Sequence, residues 1–498
     1  MKRLLSKMLI ICSLLTLVYL PIFGNGFAVD DHVFIAKYHP TIREAFAGVV
    51  PPGHEGVYRP VRGMLYTLYF SLFGITPFFY HLHSLIVHLA ATVLMYGVIG
   101  EIGRIGKIGG KEWIGLVSGL LFGLHPIHTE TITYIASSMD ATGLLFFLLS
   151  WYLYLKKHYF LSFFVATISF FTTEMALTLP LFLMLQEFML GQAVRKPFAR
   201  PGLANNVNTL RNLMGKIWPY FIAAGGYLAV RFFVLGIGAR GVYLGGSFYL
   251  TMLTMTKVLV QYLWLLVWPV NLMHNHIISP GIEAFVYRGY RTAAIASQTL
   301  FDIDILVSFM ILLGLLVCLW KLKHTHPLVS FGIGVFFLGL VPVMEFVPQG
   351  AILNERSLYL SSIGFVLILG YTLSALLENQ KAKPWAIAGL SLMLLFYAGK
   401  TATRNRDWRN NISLFTKDIE ASPTENTYAY FALGNAYNEK KNYEKAVASY
   451  QKSVEINPGF AVGYASLSRT YRDMGNTELS NIHYRLANQA EQGFWTKK

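Results

Sequence analysis

The chain has 498 residues, of which 54% are hydrophobic, 15% are aromatic and only 13% are charged, and its mean hydropathy is +0.46. A soluble protein carries about 25% charged residues, so the composition excludes an ordinary soluble enzyme and predicts an all-α, polytopic membrane protein. The net charge of +15 does not indicate nucleic-acid binding, because much of the basic charge lies in short loops where it sets orientation. Cys12 and Cys318 lie in apolar runs, which excludes a disulfide framework.

The N-terminus has a basic segment at 1–7 followed by an apolar run at 8–23. This pattern is typical of a cleaved signal peptide, with a weak cleavage site at 26–28, or of an uncleaved first helix that begins in the cytoplasm. We favour the uncleaved helix, because further apolar runs follow at once.

Ten later apolar runs predict membrane helices. They lie at 78–100, 113–127, 141–155, 159–173, 176–192, 217–236, 303–320, 328–344, 357–377 and 385–399. Basic loops, such as the one with Arg195 and Lys196, are expected in the cytoplasm. The run 251–272 is apolar enough to cross, but its crossing conflicts with the neighbouring loop charges, so the sequence predicts 11 or 12 spans. An odd number places the C-terminus on the side of the first loop.

The first external loop, 29–77, contains the apolar stretch 61–75, which is too short to span and is predicted to lie in the interface as an amphipathic helix. Near the C-terminus the composition becomes polar. We predict a transmembrane domain at 1–400, a juxtamembrane linker at 401–421 and a soluble module at 422–498.

The C-terminal module contains a repeat of 34 residues, since Gly434 corresponds to Ser468 and Tyr450 to Tyr484. Large, small and aromatic positions at this period are typical of tetratricopeptide repeats, which are pairs of antiparallel helices. The repeats are predicted at 427–460 and 461–494. Two repeats bury little core, so the module is expected to lean on the membrane domain or on another chain.

Asp30 and Asp31 are adjacent carboxylates directly after the first apolar run. Two like charges at a bilayer surface are costly unless they are bound or used. They indicate a general base or a metal ligand, or else a solvated helix end.

The motif HPIHTE places His125, His128 and Glu130 at the outer end of a span. These residue types could bind a metal, but Pro126 interrupts a ligand-bearing helix. Substrate contacts or a structural turn are therefore favoured over zinc. Asp140 follows as another external carboxylate or as a helix cap.

Basic and acidic side chains also stand at the outer ends of other runs. Arg59 and Arg62 offer donors that match phosphate oxygens, although Arg62 could equally snorkel at the interface. Glu174 is a functional candidate by its place between two spans, and the alternative is that it only marks the loop. Arg356 suits an anionic lipid headgroup, and the alternative is a surface turn with Glu355.

No glycine-rich nucleotide loop, Walker motif or nucleophile elbow occurs in the sequence. Carboxylates and arginines at one face instead indicate chemistry on a phosphorylated lipid.

The chain resembles the transmembrane and tetratricopeptide-repeat-containing O-mannosyltransferases, within the GT-C glycosyltransferases that use polyprenyl-phosphate sugars. The pieces that carry the resemblance occur in order as VDDHVFI, YRPVRGMLY, FGLHPIHTETI, TTEMALTLP, VPQGAILNERSLYLSSIGF, RNRDWRNNISLF and the repeats. The chain differs from the animal members in having two clear repeats where those have many.

The resemblance implies transfer of a hexose, of the mannose type, from a polyprenyl phosphate to a hydroxyl on a protein or envelope glycan outside the cytoplasm. It implies that Asp30 is the base with Asp31 as its neighbour. Glu130 becomes the acidic residue of the second loop, Arg356 contacts the lipid phosphate and Arg59 shapes the pocket.

No cofactor is expected besides the lipid-linked sugar donor, and a divalent cation is not favoured. The compact loops are typical of a bacterial inner-membrane protein with its repeats on the outer side, or of an endoplasmic reticulum protein in a eukaryote. The alternatives from other classes are a non-catalytic membrane scaffold that recruits partners through its repeats, and a transporter of lipid-linked sugars.

Overall fold

The computed structural model describes residues 2–105, 111–193, 203–279, 281–285 and 298–495. The described chain is overwhelmingly helical, and its strands in these ranges form one small hairpin, which confirms the predicted all-α class. The basic loop predicted around Arg195 and Lys196 lies outside the described residues.

The helices before residue 230 are α1 (Lys2–Tyr19), α2 (Asp31–Ala36), α3 (Ile42–Phe46), α4 (Pro60–Phe73), α5 (Pro77–Ile105), α6 (Lys111–Leu124), α7 (Thr129–Thr133), α8 (Ile135–Leu155), α9 (Tyr159–Phe170), α10 (Leu179–Ala193) and α11 (Leu203–Ala229). The later elements are α12 (Phe248–Val267), β1 (Ile277–Ser279), β2 (Ile282–Glu283), α13 (Ile303–Leu322), α14 (Pro327–Leu340), α15 (Leu358–Glu378), α16 (Lys383–Asp407), α17 (Asn411–Ala421), α18 (Thr427–Glu439), α19 (Tyr443–Ile456), α20 (Ala461–Asp473) and α21 (Thr477–Trp495).

In the described ranges, nine helices are long and apolar enough to cross a membrane, namely α1, α5, α8, α10, α11, α12, α13, α15 and α16. Three shorter apolar helices, α6, α9 and α14, accompany them. Each apolar run of the sequence is therefore a helix, and the prediction of a multi-pass membrane protein is confirmed. The predicted interfacial stretch at 61–75 forms α4.

Small residues allow the central membrane helices to pack closely. A Cβ atom on Gly364 of α15 would collide with the carbonyl oxygen of Gly332 in α14, and one on Gly370 would collide with Ser118 of α6. Helices in a membrane associate through such close backbone contact because lipid supplies no hydrophobic force between them. The α6–α14–α15 group is therefore the rigid base from which the outer loops project.

Both ends of α12 lie among the loops on one side of the helices. Just before its start, Tyr243 donates a hydrogen bond of 3.0 Å to the carbonyl of Phe346, in the segment after α14. At its end, the carbonyl of Leu266 is 3.0 Å from Nε2 of His125, in the loop after α6. By the order of the helices these two loops lie on the same side of the bundle.

The middle of α12 contacts the same side. Nζ of Lys257 lies 3.0 Å from Oδ2 of Asp304, at the start of α13, and Gln261 donates to the carbonyl of Ile277 in β1 at 3.2 Å. Although α12 is apolar enough to span, these contacts favour a helix that stays on this side. Of the described helices, eight others are then long enough to cross and three shorter apolar helices accompany them, and the hydrogen bond from the N–H of Val29 to Asn411 places the C-terminal segment on the side of the first loop.

The C-terminal module consists of two helix pairs, α18–α19 and α20–α21. In the first pair a Cβ on Gly434 would lie 2.5 Å from the ring of Tyr450, and in the second the hydroxyls of Ser468 and Ser480 are 3.2 Å apart. These are the crossing points where the repeat pattern requires small residues, so the predicted tetratricopeptide fold is confirmed.

A buried carboxylate joins this module to the membrane domain. Glu283 of β2 accepts hydrogen bonds from the backbone N–H groups of Thr427 (3.0 Å) and Tyr428 (3.1 Å) in the first turn of α18. The first N–H groups of a helix have no partner within the helix, and its dipole favours a negative charge there. Glu283 therefore supplies the acceptors that the start of the module needs.

A second carboxylate extends this contact. Asp418 of α17 accepts the backbone N–H groups of His274 and Asn275, each at 3.0 Å, and the side chains of Asn275 and Asn426 are joined at 2.9 Å. Part of the segment that the sequence treats as a linker is thus a helix fastened to the loop after α12.

We expect Glu283→Ala to loosen the module, because it leaves two buried N–H groups without an acceptor, at a cost of about 1–3 kcal/mol each. Hydrogen exchange of the full chain should show faster exchange at Thr427 and Tyr428. The control is Glu444→Gln, an exposed residue in the first turn of α19. Equal exchange in the two variants would contradict this docking.

Candidate active site

Two adjoining cavities open among the loops on this side. The larger has a volume of about 640 Å³ and the smaller of about 450 Å³, in each case with the solvent space at its open mouth included. They share a wall that contains Arg59, Ser137, Asp140, Arg240 and Arg356. Four segments distant in sequence therefore meet here: the first loop, the start of α8, the loop before α12 and the segment before α15.

Asp30 lies on the wall of the smaller cavity, together with Phe34, His54 and Tyr134. It immediately precedes α2. Its carboxylate forms no ion pair or side-chain hydrogen bond with the residues that the structure describes. An unpaired carboxylate in a cavity is available to a substrate.

The backbone before Asp30 is strained. Val29 has φ of +52°, a left-handed conformation that a β-branched residue rarely adopts. Its N–H is held by Oδ1 of Asn411 at 2.7 Å. Strain of this kind typically costs about 1–3 kcal/mol and is found at functional sites. Here the strained residue directly precedes Asp30 and Asp31, whose side chains point in different directions.

Asp31 points away from both cavities and is buried. Its two carboxylate oxygens accept the backbone N–H groups of Ala28 (3.1 Å) and Ala136 (2.7 Å). Burial raises the pKa of Asp31 to about 8, although these two hydrogen bonds act in the opposite direction. Because Ala136 lies in the first turn of α8, Asp31 fastens the first loop to that helix.

An ion-pair cluster forms one side of the shared wall. Arg59 contacts Asp140 (Nη1–Oδ2, 2.6 Å) and also Glu174 through Nε. Asp140 is 3.2 Å from Nη1 of Arg62, and Glu174 is 3.2 Å from Nη1 of Arg231. Arg59 is therefore held rigidly between two carboxylates, and the structure brings it together with Glu174 as part of one network.

Arg356 lies on the same wall and is held by Glu130. Its Nη1 is 2.9 Å from Oε1 of Glu130, and its backbone N–H donates to Oε2 at 3.1 Å. Burial alone would raise the pKa of Glu130, but the Arg356 guanidinium holds it well below its usual range. Glu130 is fully buried and lines neither cavity, so its contact with the site runs through Arg356.

The predicted substrate contacts His125 and His128 do not line either of these two cavities. Both side chains are fully buried, with His125 bonded to Leu266 as described and Nε2 of His128 2.9 Å from the hydroxyl of Ser362. Pro126 begins a short 3-10 turn, which directs the two rings into the helix packing. These histidines join helices to each other.

In the part of the chain that the structure describes, no three His, Cys, Asp or Glu side chains are grouped so that they could hold a metal ion.

Arg240 was not singled out by the sequence. It lines both cavities, its side chain is exposed to them, and its backbone N–H donates to the carbonyl of Pro348 at 3.1 Å. The only local signal is an arginine in a short glycine-rich loop between two apolar helices. Such arginines are common, and only the packing of three loops shows that this one reaches the cavity.

Fold and site together define a class: a multi-pass helical membrane protein with an arginine-rich cavity, a carboxylate on its wall that has no partner among the described residues, and a tetratricopeptide module beside it. Comparison with known proteins bears on the repeats and on the family. The family description "Tetratricopeptide repeat" matches residues 427–460. No solved structure matches the chain.

The chain matches the protein O-mannosyl-transferases with tetratricopeptide repeats, which confirms the resemblance that its motifs indicate. Protein O-mannosyl-transferase TMTC3 of Mus musculus is 23% identical over 86% of this chain and 48% of its own length. Protein O-mannosyl-transferase F38B6.6 of Caenorhabditis elegans is 22% identical over 92% and 63%, and TMTC4 of Homo sapiens is 24% identical over 79% and 57%. The chain thus spans about half to three fifths of these relatives.

The two aspartates should differ in stability tests. Asp31→Asn replaces one of two carboxylate acceptors by an amide donor and leaves a buried N–H unpaired, so we expect a loss of about 1–3 kcal/mol. Asp30→Asn removes no ion pair or side-chain hydrogen bond with a described residue and should change stability by less than about 0.5 kcal/mol. Thermal unfolding of both variants in detergent measures the difference, and equal losses would contradict the placement of Asp31.

Proposed function

We propose that the chain is a membrane glycosyltransferase that moves a hexose, mannose by analogy with the names of its relatives, from a polyprenyl phosphate to a hydroxyl on a protein or envelope glycan. The observation that carries the proposal is the free carboxylate of Asp30 in a cavity whose shared wall holds Arg59, Arg240 and Arg356. The acceptor hydroxyl needs a base and the phosphate leaving group needs positive charge. The carboxylate and the arginines of this site would supply them.

Asp30 is the base in this proposal. A hydroxyl attacks an anomeric carbon more readily when a positioned group takes its proton. Asp140, the other carboxylate on the cavity walls, is engaged by Arg59 and Arg62, which leaves Asp30 for this task. Asp31 positions the loop through the backbone of α8, and Glu130 and Glu174 orient arginines.

The larger cavity suits the lipid part of the donor. Apolar side chains line it beside the shared arginine wall, among them Leu144, Met175 and Val343. A polyprenyl phosphate has the same division, with a charged phosphate next to an apolar chain. Arg356 would contact the phosphate and stabilise the charge that develops there.

A single displacement accounts for the reaction. The acceptor oxygen forms a bond to the anomeric carbon, the bond from that carbon to the phosphate oxygen breaks, and its electron pair stays on the phosphate. The acceptor proton passes to Asp30. A retaining reaction needs a second free carboxylate nearby, and among the described residues on these two cavity walls only Asp30 is unpaired, which favours inversion.

The basic N-terminal residues favour a cytoplasmic start of α1, and eleven crossings would then place the site and the repeats outside the cytoplasm. This corresponds to the periplasmic side of a bacterial inner membrane or to the lumen of the endoplasmic reticulum. The repeats lie next to the site and could bind an acceptor protein or another partner.

Transfer by the purified full chain tests the proposal, with a labelled polyprenyl-phosphate mannose as donor and envelope extract as acceptor. Asp30→Asn should lower kcat by about 10²–10⁴-fold, because it removes the base, while unfolding stays as in the wild type. The matched control is Glu378→Gln, an exposed residue at the end of α15, which should keep full activity.

Normal transfer by Asp30→Asn would refute the assignment of the base. If the wild type releases no lipid phosphate with any acceptor extract, and substitution of Tyr430 or Tyr464 in the repeats abolishes a cellular phenotype that Asp30→Asn leaves intact, the chain is a scaffold and the enzymatic proposal is wrong.

A further inference from the structure

The arginines of the two cavities differ in one respect. Arg59, Arg62 and Arg356 each have a carboxylate partner in Asp140, Glu174 or Glu130. Arg240 forms no ion pair with any residue in the described ranges, although it lines both cavities. A guanidinium with five donors and no protein acceptor is ready to bind an anion.

The backbone, and not an acidic side chain, holds Arg240 in place. A Cβ on Gly56 would lie 3.0 Å from Cα of Arg240, and one on Gly241 would overlap the backbone of Gly350. The N–H groups of Arg240 and Gly241 both donate to the carbonyl of Pro348, at 3.1 and 3.0 Å. The residue is therefore wedged between the first loop and the segment after α14.

Glycine is required at these contacts. Gly56 has φ of +84° and Gly350 has φ of +82°, which favour glycine, and neither Gly56 nor Gly241 has room for a side chain. The close approach of three loops thus fixes the backbone of Arg240, while its guanidinium has no acceptor among the described residues.

The charges around the shared wall leave room for an anion. Apart from Asp30, the network holds five arginines, namely Arg59, Arg62, Arg231, Arg240 and Arg356, and three carboxylates, namely Asp140, Glu174 and Glu130. Among the described residues of this network, one positive charge is not balanced while Asp30 is ionised, and two are not balanced once Asp30 has taken up a proton. A phosphate monoester carries about −1.5 to −2 charges at neutral pH, so the leaving lipid phosphate matches this excess.

Resting on the proposed function, we propose that Arg240 binds the phosphate of the lipid donor and neutralises the charge that this phosphate gains when the sugar leaves. Its position at the junction of the cavities puts Asp30 on one side and the apolar lining of Leu144 and Val343 on the other. The fork of the guanidinium matches two phosphate oxygens, which a lysine cannot reproduce.

Chemical modification tests the binding without any need for turnover. The full chain in detergent is treated with an arginine-selective dicarbonyl reagent, and modification of Arg240 is followed by peptide mass spectrometry. Farnesyl phosphate should protect Arg240, whereas farnesol should not, and inorganic phosphate should protect only at much higher concentration. Absence of protection by farnesyl phosphate would overturn the proposal, and equal protection by inorganic phosphate would overturn the lipid part of it.

Kinetics provide the second test. Arg240→Gln should lower kcat by about 10²–10³-fold, the loss typical for removal of one group that stabilises developing charge. Arg240→Lys keeps the charge and the Cγ that packs on Gly56, and should recover part of the activity. The control is Arg43→Gln, an exposed arginine of α3 in the same loop region.

The two proposals can fail separately. If the wild type transfers sugar, Asp30→Asn does not, and Arg240→Gln is as active as Arg43→Gln, then only the role of Arg240 is wrong. If the wild type transfers no sugar but farnesyl phosphate protects Arg240, the lipid-phosphate site is supported and the proposed transfer reaction is wrong.

Discussion

The hydrogen bonds of the Asp31 carboxylate hold the site together. They join Ala28 of the first loop to Ala136 at the start of α8, over a distance of 105 positions in the sequence for the second contact. A buried carboxylate is costly unless its acceptors are used, and here both oxygens have donors. Because Asp31 is fixed inward, its neighbour Asp30 is left on the wall of the cavity, at the expense of a strained Val29.

The arginines of the site, like the buried Asp31 carboxylate, need partners for their polar groups. The positive charges of these guanidinium groups have little access to water, and the carboxylates of Asp140, Glu174 and Glu130 balance them. This pairing orients Arg59 and Arg356 before any substrate arrives, so little reorganisation is needed when charge develops. Arg240 stands apart because loop backbones position it.

The C-terminal module is connected to this site by the segment after α12. Nδ1 of His274 lies 3.6 Å from Glu130, while its backbone N–H is held by Asp418 and the nearby Glu283 caps α18. One short segment therefore touches Glu130, which is the partner of Arg356, the linker helix α17 and the first helix of the module, α18. The repeats are part of the same folded unit and sit at a fixed place beside the cavity.

The sequence by itself determined the helical membrane class, the position of each apolar helix, the repeat of 34 residues and the family resemblance, because these depend on local composition and periodicity. It also named Asp30, Arg59, Glu174 and Arg356, which the structure brings to one region. Only the tertiary structure shows that Asp30 lies on the cavity wall while Asp31 does not, and that His125 and His128 are buried between helices. It also shows that both ends of α12 lie on one side and that Arg240 lines both cavities. The direction of a side chain in a loop depends on backbone groups far away in the sequence, such as Ala136 for Asp31 and Pro348 for Arg240, and no local pattern records those contacts.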